Sequence, residues 1–281
     1  MKTLSDCALD VLNTAEPKSK AEKTKAYVGQ WQAGKIPSVG LVTLPDRPQR
    51  PNAPKLLPPA DMPKRGKAGS KKNRIALLHA IAHIELNAID LAWDIIGRFA
   101  HYAEDNGAKG FHLPKTFYDA WAGVAYDEAK HHMMVEARLN DFGVSYGDLP
   151  AHDGLWEASL ETKDDFAARL AIVPMVLEAR GLDVTPMMVA NMQRFEDFET
   201  ADILQVIHDE EISHVEAGTT WFKAWCDYHG LDVETHWQSL VKKYFKGVLK
   251  RPFNDPSRMK AGMIPDWYEP LADNEFMKDV S

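Results

Sequence analysis

The sequence predicts an all-α fold, an antiparallel four-helix bundle with one long crossover connection. From Ile75 onward, apolar residues recur at three- and four-residue spacing in four long segments, and alternating β-branched runs are rare. A long connection separates the second segment from the third, as in bundles with a crossover. The chain has 281 residues, of which 45% are apolar and 26% charged. It is therefore long and apolar enough to bury a sizeable core, which excludes a purely disordered or fibrous protein.

The first 70 residues differ from the rest. Short helical patterns at 2–13 and 18–33, with Tyr27 and Trp31 as possible docking groups, precede a segment that holds eight of the seventeen prolines, Pro37–Pro63. Because proline fixes φ and lacks an N–H, this segment is predicted to run extended over another part of the protein. The predicted organisation is an N-terminal helical and proline-rich arm at 1–70, the bundle at 71–230, and a C-terminal extension with one further helix at 231–281.

Start and stop signals bound the four long helices. Pro114 suits the first turn of the second helix, and Gly143 follows its end. The third helix is predicted to stop before Gly181 and to be kinked or bulged at Pro174. A shorter helix is expected after Pro186. The predicted long helices span about 71–104, 115–142, 162–180 and 200–228.

Charge and cysteine usage limit the partners and the compartment. The net charge of −8 argues against a surface that attracts nucleic acid or anionic lipid as a whole. Asp6 and Asp10 occupy the place where a secretory signal needs an apolar core, and no membrane span of about 18 uncharged apolar residues is expected. Cys7 and Cys226 form no disulfide framework or zinc spacing. The sequence therefore predicts a soluble cytoplasmic protein.

Each predicted long helix carries a glutamate on its apolar face. Two of these glutamates are followed three residues later by a histidine, which places both side chains on one side of a helix. A buried carboxylate needs a partner, and no Lys or Arg lies on the same faces. The six residues are Glu85 on the first helix, Glu128 and His131 on the second, Glu178 on the third, and Glu211 and His214 on the fourth.

Metal ions can supply that partner. Four glutamates, two divalent cations and two neutral imidazoles sum to zero formal charge, and this ligand set is the one described for carboxylate-bridged di-iron and di-manganese bundles. The predicted cofactors are therefore two Fe or Mn ions, with a mixed Fe/Mn pair possible. The alternative for each glutamate taken alone is a solvated helix face.

Neighbouring polar residues are candidates for orienting the ligands. Asp127 and Glu210 each precede a ligand glutamate and are expected to reach the free N–H of the histidine on the opposite helix, which would fix the tautomer of that histidine. Exposed helix charges are the equally good alternative for both. His79, His83 and His132 point elsewhere and are predicted to pack in the core or to support the ligands rather than to bind metal themselves.

Five blocks of the sequence resemble a known family. They are RPQRP (47–51), LLHAIAHIE (77–85), DEAKH (127–131), ARGLDVTP (179–186) and DEEISHV (209–215). The helical part resembles the ferritin-like superfamily, and the whole region from about 40 to 225 is similar to a mainly bacterial family known as domain of unknown function 455. The ferritin-like resemblance implies a dinuclear iron or manganese site at the six residues named above. It also implies kinship with the tRNA-hydroxylating branch of that superfamily.

Several functions agree with this site, and no catalytic residue is predicted. The leading hypothesis is an oxidoreductase that uses O₂ or peroxide to oxidise an unknown small molecule. A tRNA-base hydroxylase is the second, because six basic residues and no acidic one lie between Lys64 and Arg74, although a solubilising linker explains them better. Metal storage or oxidative-stress protection without an organic substrate is the third. A purely structural metal in an interaction module is the fourth. The oligomeric state is left open.

Overall fold

The computed structural model describes residues 1–63, 69–107 and 109–272. Within these ranges, helices are the regular secondary structure, and extended segments pair only at isolated bridges such as Leu56 with Ala151. The predicted all-α class is confirmed. The helices are α1 (Leu4–Leu12), α2 (Pro17–Gln32), α3 (Lys71–Arg98), α4 (Lys115–Asp141), α5 (Gly154–Glu161), α6 (Phe166–Ile172), α7 (Ala179–Arg194), α8 (Phe198–His229), α9 (Val233–Tyr244), α10 (Asp255–Lys260) and α11 (Pro265–Tyr268).

The chain forms two compact units. The first unit comprises residues 1–157 and 187–207, and the second comprises residues 158–186 and 208–281. The backbone passes from one unit to the other within α5, within α7 and again within α8. The predicted boundaries near 70 and 230 concern how the sequence is organised, and they stay predictions.

The first unit is built around the long helices α3 and α4. Leu78 of α3 shares a core cluster with Val135 and Leu139 of α4, and further along the pair Glu85 lies beside His131. This register means that the two helices run antiparallel. α1 packs on α3, and α2 packs on α4. Ile81 and Ala82 of α3 belong to the same cluster, and α7 and α8 contribute Val189, Met192, Ala201, Leu204 and Ile207.

The N-terminal residues are part of the first unit and contact its long helices. Trp31, at the end of α2, is buried and donates its indole N–H to Asp119 of α4 at 2.8 Å. The segment after it runs extended, and its backbone carbonyls accept hydrogen bonds from side chains of the unit. Arg98 donates to the carbonyl of Pro45 at 3.0 Å, and Trp156 donates to the carbonyl of Asp46 at 3.0 Å.

The second unit contains α6, the first half of α7, most of α8 and the C-terminal helices. α6 and α11 both pack on α9. Between α6 and α7, residues Val173–Glu178 form a π-helical turn. Pro174 lies at the start of this turn, so the predicted bulge is confirmed, since a wider turn removes the need for the proline N–H.

Two predicted helix ends are wrong. The first long helix ends at Arg98 rather than near 104, and short 3₁₀ turns continue to Asn106. The third helix does not stop before Gly181 but continues to Arg194, with Pro186 inside it. Pro186 cannot donate to the carbonyl of Leu182, one turn earlier. That carbonyl accepts instead from the side-chain amide of Asn254 at 3.0 Å, which lets the helix continue.

Helix α3 is long and apolar enough to cross a membrane by length and composition alone, although Glu85 and Asp90 interrupt its apolar residues, so it contains no run of about 18 uncharged residues. Its most apolar 18-residue window has a mean hydropathy of 1.4, and 72% of that window is buried inside the protein. A long helix of this composition, buried on most sides, is typical of the core of a soluble protein.

Gly218→Ala is expected to destabilise the second unit. A Cβ at this α8 position would lie 2.5 Å from Cγ of Pro174, on the π-helical turn. Overpacking of this kind costs about 1–3 kcal/mol. The matched control is Gly123→Ala in α4, where a Cβ meets no atom within 4 Å and helix propensity favours alanine by about 0.5–1 kcal/mol. Urea unfolding curves that rank the Gly218 variant equal to or above the control would contradict this packing.

Candidate metal centre

Glu85, Glu128 and His131 form a buried cluster in the first unit. Their side chains are at most 4% exposed. Nδ1 of His131 lies 3.4 Å from a carboxylate oxygen of Glu85 and 3.5 Å from one of Glu128. One ligand atom from each residue lies within 4.8 Å of the others. Two carboxylates and an imidazole nitrogen this close together can hold a metal ion.

The positions of these residues on α3 and α4 explain the cluster. Glu128 and His131 are three residues apart on α4, so that their side chains lie on one side of the helix. Glu85 faces them from α3 at the same level of the antiparallel pair. The flanking residues Ala82, Ala88 and Ala125 are buried and small, which lets the two backbones approach closely.

Burial and mutual repulsion govern the charges of the cluster in the metal-free protein. Burial, followed by the nearby charge of Glu128, raises the pKa of Glu85 well above its usual value. Burial alone would lower the pKa of His131, but its hydrogen bonds to Glu128 and Glu85 raise that pKa to about 11. The imidazolium thus compensates part of the carboxylate charge, and a metal ion that binds there would displace its proton.

The other three predicted ligands lie in the second unit. Glu211 and His214 occupy successive turns of α8, with 3.5 Å between Nδ1 of His214 and a carboxylate oxygen of Glu211. Both are buried, His214 completely. Glu178 is half-buried and is the last residue of the π-helical turn. Its position is notable because π-helical turns are frequent at functional sites.

The predicted orienting roles of Asp127 and Glu210 stay predictions. Asp127 accepts a hydrogen bond from Lys130, three residues later on α4, at 3.2 Å. The backbone carbonyl of Glu210 accepts from the Ser213 hydroxyl at 2.8 Å. Both side chains are half-buried, so neither has the full exposure of a simple surface charge.

The three further histidines of α3 and α4 surround Tyr146 rather than join the cluster. Nε2 of His79 accepts from the backbone N–H of Gly147 at 3.0 Å. Nδ1 of His83 lies 2.8 Å from the Tyr146 hydroxyl, and Nδ1 of His132 lies 2.9 Å from the carbonyl of Ala82. Burial is the largest cause that lowers the pKa of His83 to about 3 and that of His132 to about 4. His83 and His132 are therefore neutral at pH 7, and burial also lowers the pKa of His79.

A buried ionic network next to the cluster was missed by the sequence reasoning. Asp90, five residues after Glu85 on α3, is completely buried and accepts from Lys20 at 2.5 Å and from Arg50. Arg50 also donates to the side-chain oxygen of Asn87 at 2.5 Å. Arg50, the second arginine of the RPQRP block, thus anchors the N-terminal arm to α3. Two features of the sequence could have indicated this network: the two arginines of the RPQRP block, and an aspartate, Asp90, inside an apolar helix.

The basic segment that suggested RNA is described only in part. Lys64, Arg65 and Lys67 lie outside the described residues. Lys71, Lys72 and Arg74 begin α3, and Arg74 lies 3.5 Å from a carboxylate oxygen of Asp197. This part of the segment contributes an ion pair within the first unit.

The fold and the site together define a class of protein. It is a helical protein with a buried cluster of glutamate and histidine that can hold a metal ion. The model of the family described as "Protein of unknown function (DUF455)" matches residues 13–269, and the chain belongs to that family. It is 36% identical over 268 residues to an uncharacterized protein of Haemophilus influenzae. The matched region covers 91% of this chain and 90% of that relative. No solved structure matches the chain.

Proposed function

We propose that the protein is a ferritin-like, dinuclear Fe or Mn oxidoreductase that uses O₂ or peroxide to oxidise an unknown small molecule. The observation that carries the proposal is the cluster of Glu85, Glu128 and His131 inside a core of helices. In the proposed site, Glu178, Glu211 and His214 supply the other half of the ligands. The two free, buried cysteines, Cys7 and Cys226, fit a protein of the cytoplasm.

The donor set favours iron or manganese over softer metals. Carboxylate oxygens and imidazole nitrogens suit Fe(II) and Mn(II), whereas copper(I) and zinc sites more often recruit thiolates. Cys7 belongs to α1 and Cys226 to the end of α8, and neither is near a proposed ligand in sequence. Burial raises the pKa of both thiols, Cys7 to about 11 and Cys226 to about 12, so neither is a thiolate at pH 7.

The protein's own residues prepare the site for redox chemistry. A pair of bound redox-active ions would supply electrons to O₂ or peroxide. Glu85 and Glu128 place anionic oxygens where water is excluded, which strengthens their attraction for a cation. His131 holds its Nδ1 close to a carboxylate oxygen of each glutamate, where a bound metal ion would take the place of its proton.

Iron oxidation distinguishes the proposed enzyme from a metal store. Anaerobic protein titrated with Fe(II) and mixed with O₂ is expected to oxidise about two irons per chain and then stop, because six ligands bind two ions. Stopped-flow absorbance together with the particle mass from light scattering gives both quantities on one sample. Oxidation of many equivalents in a large hollow assembly would favour storage and contradict the oxidoreductase.

Metal binding is also expected to stabilise the fold. Without metal the buried carboxylates repel each other, so Mn(II) at about 100 times its Kd should add about 2.7 kcal/mol of stability. The resulting increase in Tm should be several degrees. Glu85→Gln should lose most of this increase, whereas Glu104→Gln, an exposed residue of the 3₁₀ turn after α3, should keep it. An identical Tm with and without Mn(II) in the wild type would contradict the proposed site.

A further inference from the structure

A cavity of about 340 Å³ lies in the second unit. Its walls come from the π-helical turn, from α7, and from the segment between α9 and α10. The size is at the lower end of the range for small-molecule pockets. The apolar lining residues are Val176, Leu177, Phe245, Val248, Leu249 and Phe253.

The side chains that line this cavity carry more positive than negative charge. The side chain of Asp183 is completely buried and accepts two hydrogen bonds from Arg258, at 2.8 Å from Nε and 2.7 Å from Nη2. It also accepts from the backbone N–H of Asn254 at 2.9 Å. Asp183 is thus neutralised by a partner of its own. Arg180 and Lys250 then leave the lining with an excess of positive charge.

Arg180 is placed to receive an anion. Its Nη1 donates to the backbone carbonyl of Lys250 at 2.7 Å, which fixes the guanidinium at the cavity. The contact of Nη1 with Asp183 is long, 3.5 Å. In the described part of the chain, no hydrogen bond involves Nε or Nη2 of Arg180, and its side chain is 38% exposed. Two N–H donors of a fixed guanidinium match the two oxygens of a carboxylate.

We propose that this cavity binds an apolar monocarboxylate, with its hydrocarbon body between Phe245, Leu249 and Phe253 and its carboxylate on Arg180. The aromatic and aliphatic walls accept a chain or a ring, and the positive excess selects its charge. The site is distinct from the proposed metal ligands, because none of its lining residues is one of those six.

Calorimetric titration of the full-length, metal-free protein with octanoate tests the proposal, with octylammonium as the probe of equal length and opposite charge. Octanoate should bind with one site per chain, and octylammonium at least tenfold more weakly. Arg180→Gln should weaken octanoate binding at least tenfold. Arg194→Gln, an exposed arginine of the same helix, should leave it unchanged.

Filling the cavity gives a second test. Val248 is 40% exposed at the rim, so Val248→Trp is expected to abolish octanoate binding without changing the far-ultraviolet circular dichroism. Equal binding of octanoate and octylammonium, no binding of octanoate to the wild type, or unchanged octanoate binding in both variants would overturn the assignment. None of these readouts depends on metal, so the failure of this site and of the redox proposal are distinguishable.

Discussion

Glu128→Ala is expected to lose at least one of two bound metal ions per chain while the protein stays helical. Glu128 is completely buried and lies beside His131. Its removal takes away one carboxylate and the contact that positions the neighbouring imidazole of His131. The helix is expected to persist, because alanine is a strong helix former. Elemental analysis after reconstitution with Fe(II) or Mn(II), together with circular dichroism, measures both effects.

The control for this variant is Glu136→Ala. Glu136 lies on α4 two turns beyond Glu128, is half-buried, and is not part of the cluster. The Glu136→Ala variant should bind as much metal as the wild type. A Glu128 variant that retains two equivalents, or a wild type with less than about a tenth of an equivalent of any transition metal, would end the metal-centre interpretation.

Asp90→Ala is expected to produce the largest loss of stability. Asp90 is the shared partner of Lys20, which is 1% exposed, and of Arg50. Burial lowers the pKa of Lys20, and the charge of Asp90 opposes that change. Removal of one member of a buried ion pair leaves an uncompensated charge, which costs about 3–5 kcal/mol.

Urea unfolding of the metal-free protein at pH 7 measures this loss. The comparison variant is Asp141→Ala at the end of α4, where the carboxylate is 64% exposed and contacts Arg138 at 3.2 Å. A surface substitution of this kind should stay within about 0.5 kcal/mol of the wild type. Equal losses in the two variants would mean that the Asp90 network contributes little to the fold.

The sequence predicted the helices well where local chemistry sets their ends. α4 begins directly after Pro114 and ends before Gly143, since proline suits a first turn and glycine adopts the positive φ of 74° found there. Glu85, Glu128 and His131 could be placed together because carboxylates on apolar helical faces stand out against their neighbours. These are signals within one helix or between two adjacent ones.

The sequence did not predict the features that depend on a contact with a residue far away in the chain. Gly181 and Pro186 are stop signals by themselves, yet α7 continues through both. At Pro186, the carbonyl of Leu182 lacks its backbone donor and accepts instead from Asn254, 72 residues away. The ion pair of Arg50 with Asp90 likewise joins an arm and a helix 40 residues apart. No periodicity or spacing encodes such pairs, since each depends on the finished packing.

Anomalous scattering from crystals grown with iron or manganese tests the central claim most directly. Data collected at the Fe and Mn absorption edges locate each ion and identify its element in one experiment. The proposal predicts two anomalous peaks per chain, with the first between Glu85, Glu128 and Nδ1 of His131. A map of the reconstituted protein with no peak at these three residues, or with iron and manganese bound only elsewhere, would contradict it.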